Sequence, residues 1–226
     1  MKNKKNIIIA AVLTVVSVVY TLLVKFVDVK EIGPNNSSVG FSSLNKWFSN
    51  LIGSNLTIYK ISEVLGYVIM LLVLIYGCIG IGQLIKRKSL LKVDKEIIKL
   101  GVFYVLMLAT YVLFEKVEIN FRPILMDGEL EASYPSSHTI LALCICFSSL
   151  ITSKRYFNKN YIKMINLVTI ILTSLVVLLR LISGVHWISD IIGGIIISMT
   201  LVSYYQLAFY YRKDKRNLVF LNINKV

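Results

Sequence analysis

Two histidines stand in this chain, His138 and His186. The second sits in a stretch that could do chemistry, running from Arg180 through Ser183, Gly184, His186 and Trp187 to Asp190. A permanent cation, an imidazole and a carboxylate lie here within a very apolar region. Ionisable groups in such surroundings are costly to keep and mark a functional site. If the chain is helical from Trp187 onward, His186 and Asp190 are one turn apart on one face. Asp190 would then hold one ring nitrogen and leave the other free to act on a substrate. Ser183-Gly184 predicts a turn between the Arg and the His. A buried Arg–Asp pair beside a hydrogen-bonded His is the plain alternative.

The elements that must position these groups are membrane spans. Of 226 residues, 56% are hydrophobic, and the mean hydropathy is +0.72. That composition predicts an all-α polytopic membrane protein rather than a soluble domain. Six runs have spanning length: 7–24, 62–85, 97–114, 138–152, 165–182 and 187–210. The first run lacks a small-residue cleavage site and reads as a retained helix. Between the first two, residues 33–38 carry turn chemistry. Residues 41–52, with Leu44, Trp47, Phe48 and Leu51 at helical spacing, predict an amphipathic helix on the membrane surface. The whole chain, 1–226, is expected to form one six-span domain.

The net charge of +13 does not point to nucleic acid, because the basic residues sit in short segments between spans. The N-terminal head, 86–96, 154–163 and the tail at 212–216 are basic and predict a cytoplasmic side. Both termini then face the cytoplasm of a plasma-membrane protein, and 27–60, 115–135 and 182–187 lie outside. Cys78, Cys144 and Cys146 all fall inside apolar runs and read as packing residues, without a disulfide or metal spacing.

With this orientation the rare polar residues converge on the outer face. Lys116 and Arg122-Pro123 form one cluster, Tyr134-Pro135-Ser136-Ser137-His138 a second, and Arg180 to Asp190 a third. Pro135 and Ser136 fit the start of a helix, whose free N–H groups favour an anion. Arg122 and Arg180 offer fork-shaped donors suited to phosphate oxygens. Two arginines, a helix start and two histidines suggest phosphoryl transfer, with one His attacking phosphorus and the other protonating the leaving oxygen. Tyr134 and Trp187 are expected to flank this face at the level of the lipid headgroups. The acidic residues between 118 and 131 read as a solvated loop rather than a magnesium site.

These clusters resemble the three motifs of the type 2 phosphatidic acid phosphatase superfamily, K-x6-R-P, P-S-G-H and S-R-x5-H-x3-D. Arg122 and Pro123 match the first motif, but its lysine position holds Glu115, with Lys116 one place off. Pro135, Ser136 and His138 match the second, with Ser137 in place of glycine. Arg180, His186 and Asp190 match the third, with Leu179 in place of serine. The motif region covers 116–190.

The resemblance implies a metal-independent hydrolase that needs no cofactor. His186 would be the nucleophile, Asp190 its orienting partner, and His138 the acid that protonates the leaving oxygen and then activates water. Arg122, Arg180, Ser136, Ser137 and Lys116 would bind phosphate. The expected partners are a lipid phosphate substrate and membrane lipids, not nucleic acid. Phosphatidic acid, phosphatidylglycerol phosphate and undecaprenyl diphosphate all remain open as substrates, and cell-envelope lipid recycling is the first expectation. The alternative is a catalytically silent lipid-binding or lipid-transport protein of the same fold.

Overall fold

A span in lipid must satisfy its peptide groups internally, and a helix does so. The computed structural model describes residues 2–223, with the side chains of 4–158 and 161–210. It contains helices α1 (Lys2–Phe26), α2 (Ser42–Ile52), α3 (Leu56–Arg87), α4 (Lys95–Val117), α5 (Ser137–Tyr156), α6 (Lys159–Ile182) and α7 (Ile188–Ile223). Six of them, all but α2, are long and apolar enough to cross a membrane. The chain is thus an all-α, multi-pass membrane protein. The basic side chains expected at 212–216 lie outside the described residues.

Several helices extend beyond the apolar runs read in the sequence. Helix α3 begins at Leu56 rather than Ser62, because Asn55 caps it: its Oδ1 accepts the N–H groups of Thr57 and Ile58 at 3.0 and 3.1 Å. Helix α7 continues to Ile223, past the apolar run. The segment before α2 holds a small antiparallel pair, β1 (Lys30–Glu31) and β2 (Ser38–Val39), closed by a turn at Pro34–Asn36. Alternation over two residues is too short to register as a strand pattern in sequence.

Helix α5 is the centre of the bundle. It packs against α3, α4, α6 and α7, while α1 lies along α7 and α3 along α6. Of its most apolar window 56% is buried, against 11% for α1. Lipid-exposed helices gain little from hydrophobic burial against one another, so small residues and shared hydrogen bonds hold them. Accordingly α5 buries Ala142, Cys144, Cys146, Ser148, Ser149 and Thr152. Tyr104 shares a hydrogen bond with Ser148 at 3.2 Å, and Thr152 with Tyr205 at 2.5 Å. Each such bond contributes about 0.6 kcal/mol.

Helix α2 is amphipathic with inverted polarity. It buries Ser42 and Asn45 against the protein and exposes Leu44, Trp47 and Leu51. Its polar face is met by the start of α7, where Asn45 Nδ2 donates to Ser189 Oγ at 2.9 Å. The α6–α7 turn closes at Gly184, whose φ of +63° is a left-handed conformation natural to glycine. A Cβ there would also lie 1.8 Å from the carbonyl oxygen of Gly53. This close approach seats the α2–α3 turn on the turn of the third motif, where Asn55 N–H donates to Ser183 O at 2.8 Å.

Candidate active site

The residues of the three motifs gather at the start of α5, the end of α6 and the start of α7. His186 precedes the first turn of α7 and Asp190 lies within it. Asp190 Oδ2 accepts the backbone N–H of Trp187 at 3.0 Å and stands 3.8 Å from His186 Nδ1. That distance is longer than a hydrogen bond, and it would be an ion pair only with the ring protonated. It directs Nδ1 to the carboxylate. Nε2 has no hydrogen-bond partner, and the ring lines a cavity of about 200 Å³.

Burial pushes the His186 imidazole down to about 4, against the opposing pull of Asp190; the positive fields of Arg122 and Arg180 push in the same direction as burial. The ring is therefore neutral at physiological pH, with a lone pair available for attack.

The arginines converge on Tyr59 of α3. The Arg180 guanidinium stacks over the Tyr59 ring at 4.3 Å, and that of Arg122 stands 5.8 Å from the same centroid. Arg180 is wholly buried, yet none of its three guanidinium nitrogens makes a hydrogen bond. Its nearest carboxylate is Glu63, at 3.9 Å. Leaving a buried cation this poorly compensated costs several kcal/mol, and a bound anion would relieve it. Arg122 Nε pairs with Glu131 Oε2 at 2.9 Å without the alignment of a hydrogen bond, and its Nη1 makes no hydrogen bond. His138, on the first turn of α5, is within electrostatic reach of Arg180, His186 and Arg122.

The serines of the second motif part company. Ser137 lines the cavity, and its Oγ lies 3.5 Å from His138 Nδ1. Ser136 is fully buried: its N–H donates to Asp190 O at 3.1 Å, and its Oγ accepts from Thr139 at 3.0 Å. Ser136 occupies the N-cap position without capping through its side chain. At the first motif Glu115, not Lys116, lines the cavity, joined by Glu131, Tyr111 and Phe114. Lys116 is exposed. One helical residue is about 100° of rotation, so the displaced lysine points elsewhere.

The aromatic residues expected at the lipid headgroups do not reach them. Tyr134 and Trp187 are buried, at 2% and 4% exposure. Trp187 Nε1 donates to Phe121 O at 2.6 Å, and Tyr134 shares a hydrogen bond with Thr21 at 2.8 Å. Burial raises the Tyr134 hydroxyl to about 12. Its ring fits because Gly193 has no Cβ; one there would sit 2.4 Å from it. Both rings brace the loop between α4 and α5, and Tyr134 also lines the cavity.

Sequence reasoning missed Tyr59, Asn45, Asn120 and Ser189. Tyr59 and Asn45 lie far from the motifs in the chain. Asn120 and Ser189 carry no signal beyond their place between the motif residues.

Among the described residues no group of three or more His, Cys, Asp or Glu is gathered as metal ligands.

A scan of protein families matches residues 115–214 to the PAP2 superfamily. The match spans the three motifs read in the sequence. Among solved structures, the fold is similar to that of the transmembrane PAP2 type phosphatidylglycerolphosphate phosphatase from Bacillus subtilis. That structure aligns with a TM-score of 0.58 over 91% of this chain and 96% of that chain, at 21% identity. No curated protein matches the chain. The family match covers the motif region, and the structural match shows a shared fold.

Proposed function

We propose that the chain works as one six-span domain that hydrolyses a lipid phosphomonoester or a polyprenyl diphosphate through a phosphohistidine. The observation that carries this reading is His186, 3.8 Å from Asp190 and lining the cavity, with the guanidinium of Arg180 buried nearby and without a hydrogen bond. His186 Nε2 attacks phosphorus as the bond to the lipid oxygen breaks. His138 gives its proton to that oxygen. Asp190 stabilises the imidazolium-like nucleophile. His138 then takes a proton from water, whose oxygen attacks the phosphohistidine and frees inorganic phosphate. Arg122, Arg180 and Ser137 hold the phosphoryl oxygens as charge shifts onto them. Ser136 supports this seat from beneath, and Lys116 would have to swing in to join it.

The charge pattern of the flanking segments supports an extracytoplasmic site in the plasma membrane, with both termini in the cytoplasm. The outward apolar face of α2 supports a seat at the lipid interface next to that site. The fold shared with the Bacillus subtilis phosphatidylglycerolphosphate phosphatase makes phosphatidylglycerol phosphate a first substrate to try, with phosphatidic acid and undecaprenyl diphosphate beside it. A silent lipid binder is the second reading, favoured by Glu115 at the cavity where the family motif has lysine.

The test is phosphate release by the purified protein in detergent with EDTA, on those three lipids, with His186→Ala in parallel. Release by the wild type that disappears in the variant is expected. No release from any lipid would leave the silent-binder reading.

A further inference from the structure

Behind Asp190, away from the cavity, lies a closed network of two buried amides. Asn120 and Asn45 are both 0% exposed. Asn120 Nδ2 donates to Asp190 Oδ1 at 3.1 Å and stands 3.4 Å from Ser189 Oγ. Its Oδ1 accepts the N–H of Gly40 at 2.9 Å. Asn45 Nδ2 donates to Gly40 O at 2.7 Å and to Ser189 Oγ at 2.9 Å, while its Oδ1 accepts Ser189 N–H at 3.2 Å. A carboxylate only accepts and a backbone N–H only donates, so the orientation of the Asn120 amide is fixed by its partners.

With Trp187 N–H on Oδ2 and Asn120 on Oδ1, both carboxylate oxygens of Asp190 are held. Neither asparagine lines the cavity. Gly40 and Asn45 belong to a segment outside the family-matched residues 115–214. Gly40 is pinned in turn, since a Cβ there would meet Val24 O at 1.5 Å. We infer that Asn120, backed by Gly40 and Asn45, is a positioning residue that locks the Asp190 carboxylate and thereby the aim of His186. The segment before α2 is on this account part of the support for the nucleophile. The inference rests on the phosphatase reading above.

Two substitutions separate positioning from mere packing. Asn120→Ala removes the donor to Asp190. Asn120→Asp keeps the shape and, while it carries a proton, can still donate to Asp190 and accept from Gly40; once that proton leaves, two buried carboxylates repel. The experiment measures phosphate release from phosphatidic acid, phosphatidylglycerol phosphate and undecaprenyl diphosphate in detergent micelles across pH. Wild type, His186→Ala and both Asn120 variants are compared, with thermal unfolding at each pH.

Asn120→Ala is expected to lower kcat by roughly 10-fold or more, as outer-sphere partners typically do, with KM within about twofold. Asn120→Asp is expected to keep activity at low pH and to lose it as pH rises, along a descending limb displaced from the one that the acid role of His138 gives wild type, and one that the unfolding temperature does not follow. If both variants keep wild-type kcat at every pH while His186→Ala is dead, the positioning role is overturned and the phosphatase reading stands. If the activity losses track unfolding at every pH, the asparagines are packing residues only. If wild type releases no phosphate, the phosphatase reading falls and this role with it.

Discussion

The guanidinium carbon of Arg180 stands over the ring of Tyr59, 4.3 Å from its centroid, with none of the guanidinium nitrogens hydrogen-bonded. An aromatic face attracts a cation without occupying its N–H groups, so the fork stays open for phosphate while its position is fixed. Replacing Tyr59 by Leu removes that face. A cation–π contact of about 1–2 kcal/mol predicts a rise in KM of roughly 5- to 30-fold. Steady-state kinetics of Tyr59→Leu check this; an unchanged KM would mean that Arg180 is held by its own burial alone.

The pH dependence follows from His186. Burial holds its imidazole at about 4, below the ordinary 6.5. Above that value the ring is neutral and nucleophilic, and as pH falls through it the ring takes a proton and the lone pair is lost. The acid limb of kcat/KM is therefore expected near pH 4 rather than near 6.5. The same depression has a stability sign. The unfolded chain binds this proton at higher pH than the folded one, so the contribution is present above 6.5 and declines as pH falls. A pH–rate profile with parallel unfolding measurements checks both.

Asp190→Asn keeps the shape of the side chain but removes the charge that faces Nδ1. In a comparable His–Asp arrangement the loss is about 10⁴-fold in kcat, and a fall of roughly 10²- to 10⁴-fold is expected here. A fall below tenfold would show that burial and backbone alone orient the ring.

Glu115 places a carboxylate on the cavity wall beside Glu131. Glu115→Lys replaces repulsion of the phosphate by attraction. At the dielectric of a half-open site a unit charge several ångströms away is worth about 1 kcal/mol, so each unit of the two-unit change is expected to lower KM by about fivefold. Salt should weaken the effect. A KM that does not move would mean that the Glu115 carboxylate turns to solvent when substrate is bound.

Gly184→Ala strains a left-handed residue and drives a methyl group into Gly53 O. The two effects together are expected to cost about 2 kcal/mol or more, read as a lower unfolding temperature in detergent. Because the α2–α3 turn rests on this residue, activity should fall along with stability.

The sequence alone determined most of what sits along each helix. Long apolar runs can do little in lipid but become helices, so six spans were legible, the fourth from a run shorter than the others, and ionisable residues near their ends pointed to the site. The spacing of His186 and Asp190 pointed to their 3.8 Å contact, although His186 stands just before α7 and reaches Asp190 across the helix start rather than along a helical turn. Tertiary structure decided what required distant pieces of chain to meet. Tyr59 lies 121 positions before Arg180 in the sequence, and Asn45 is 144 positions from Ser189; no periodicity encodes such pairings. The direction each side chain takes was also decided there: Glu115 rather than Lys116 turns to the cavity, and Tyr134 and Trp187 turn inward. A rotation of one residue changes the face a side chain occupies, and that rotation is set by how the helices pack.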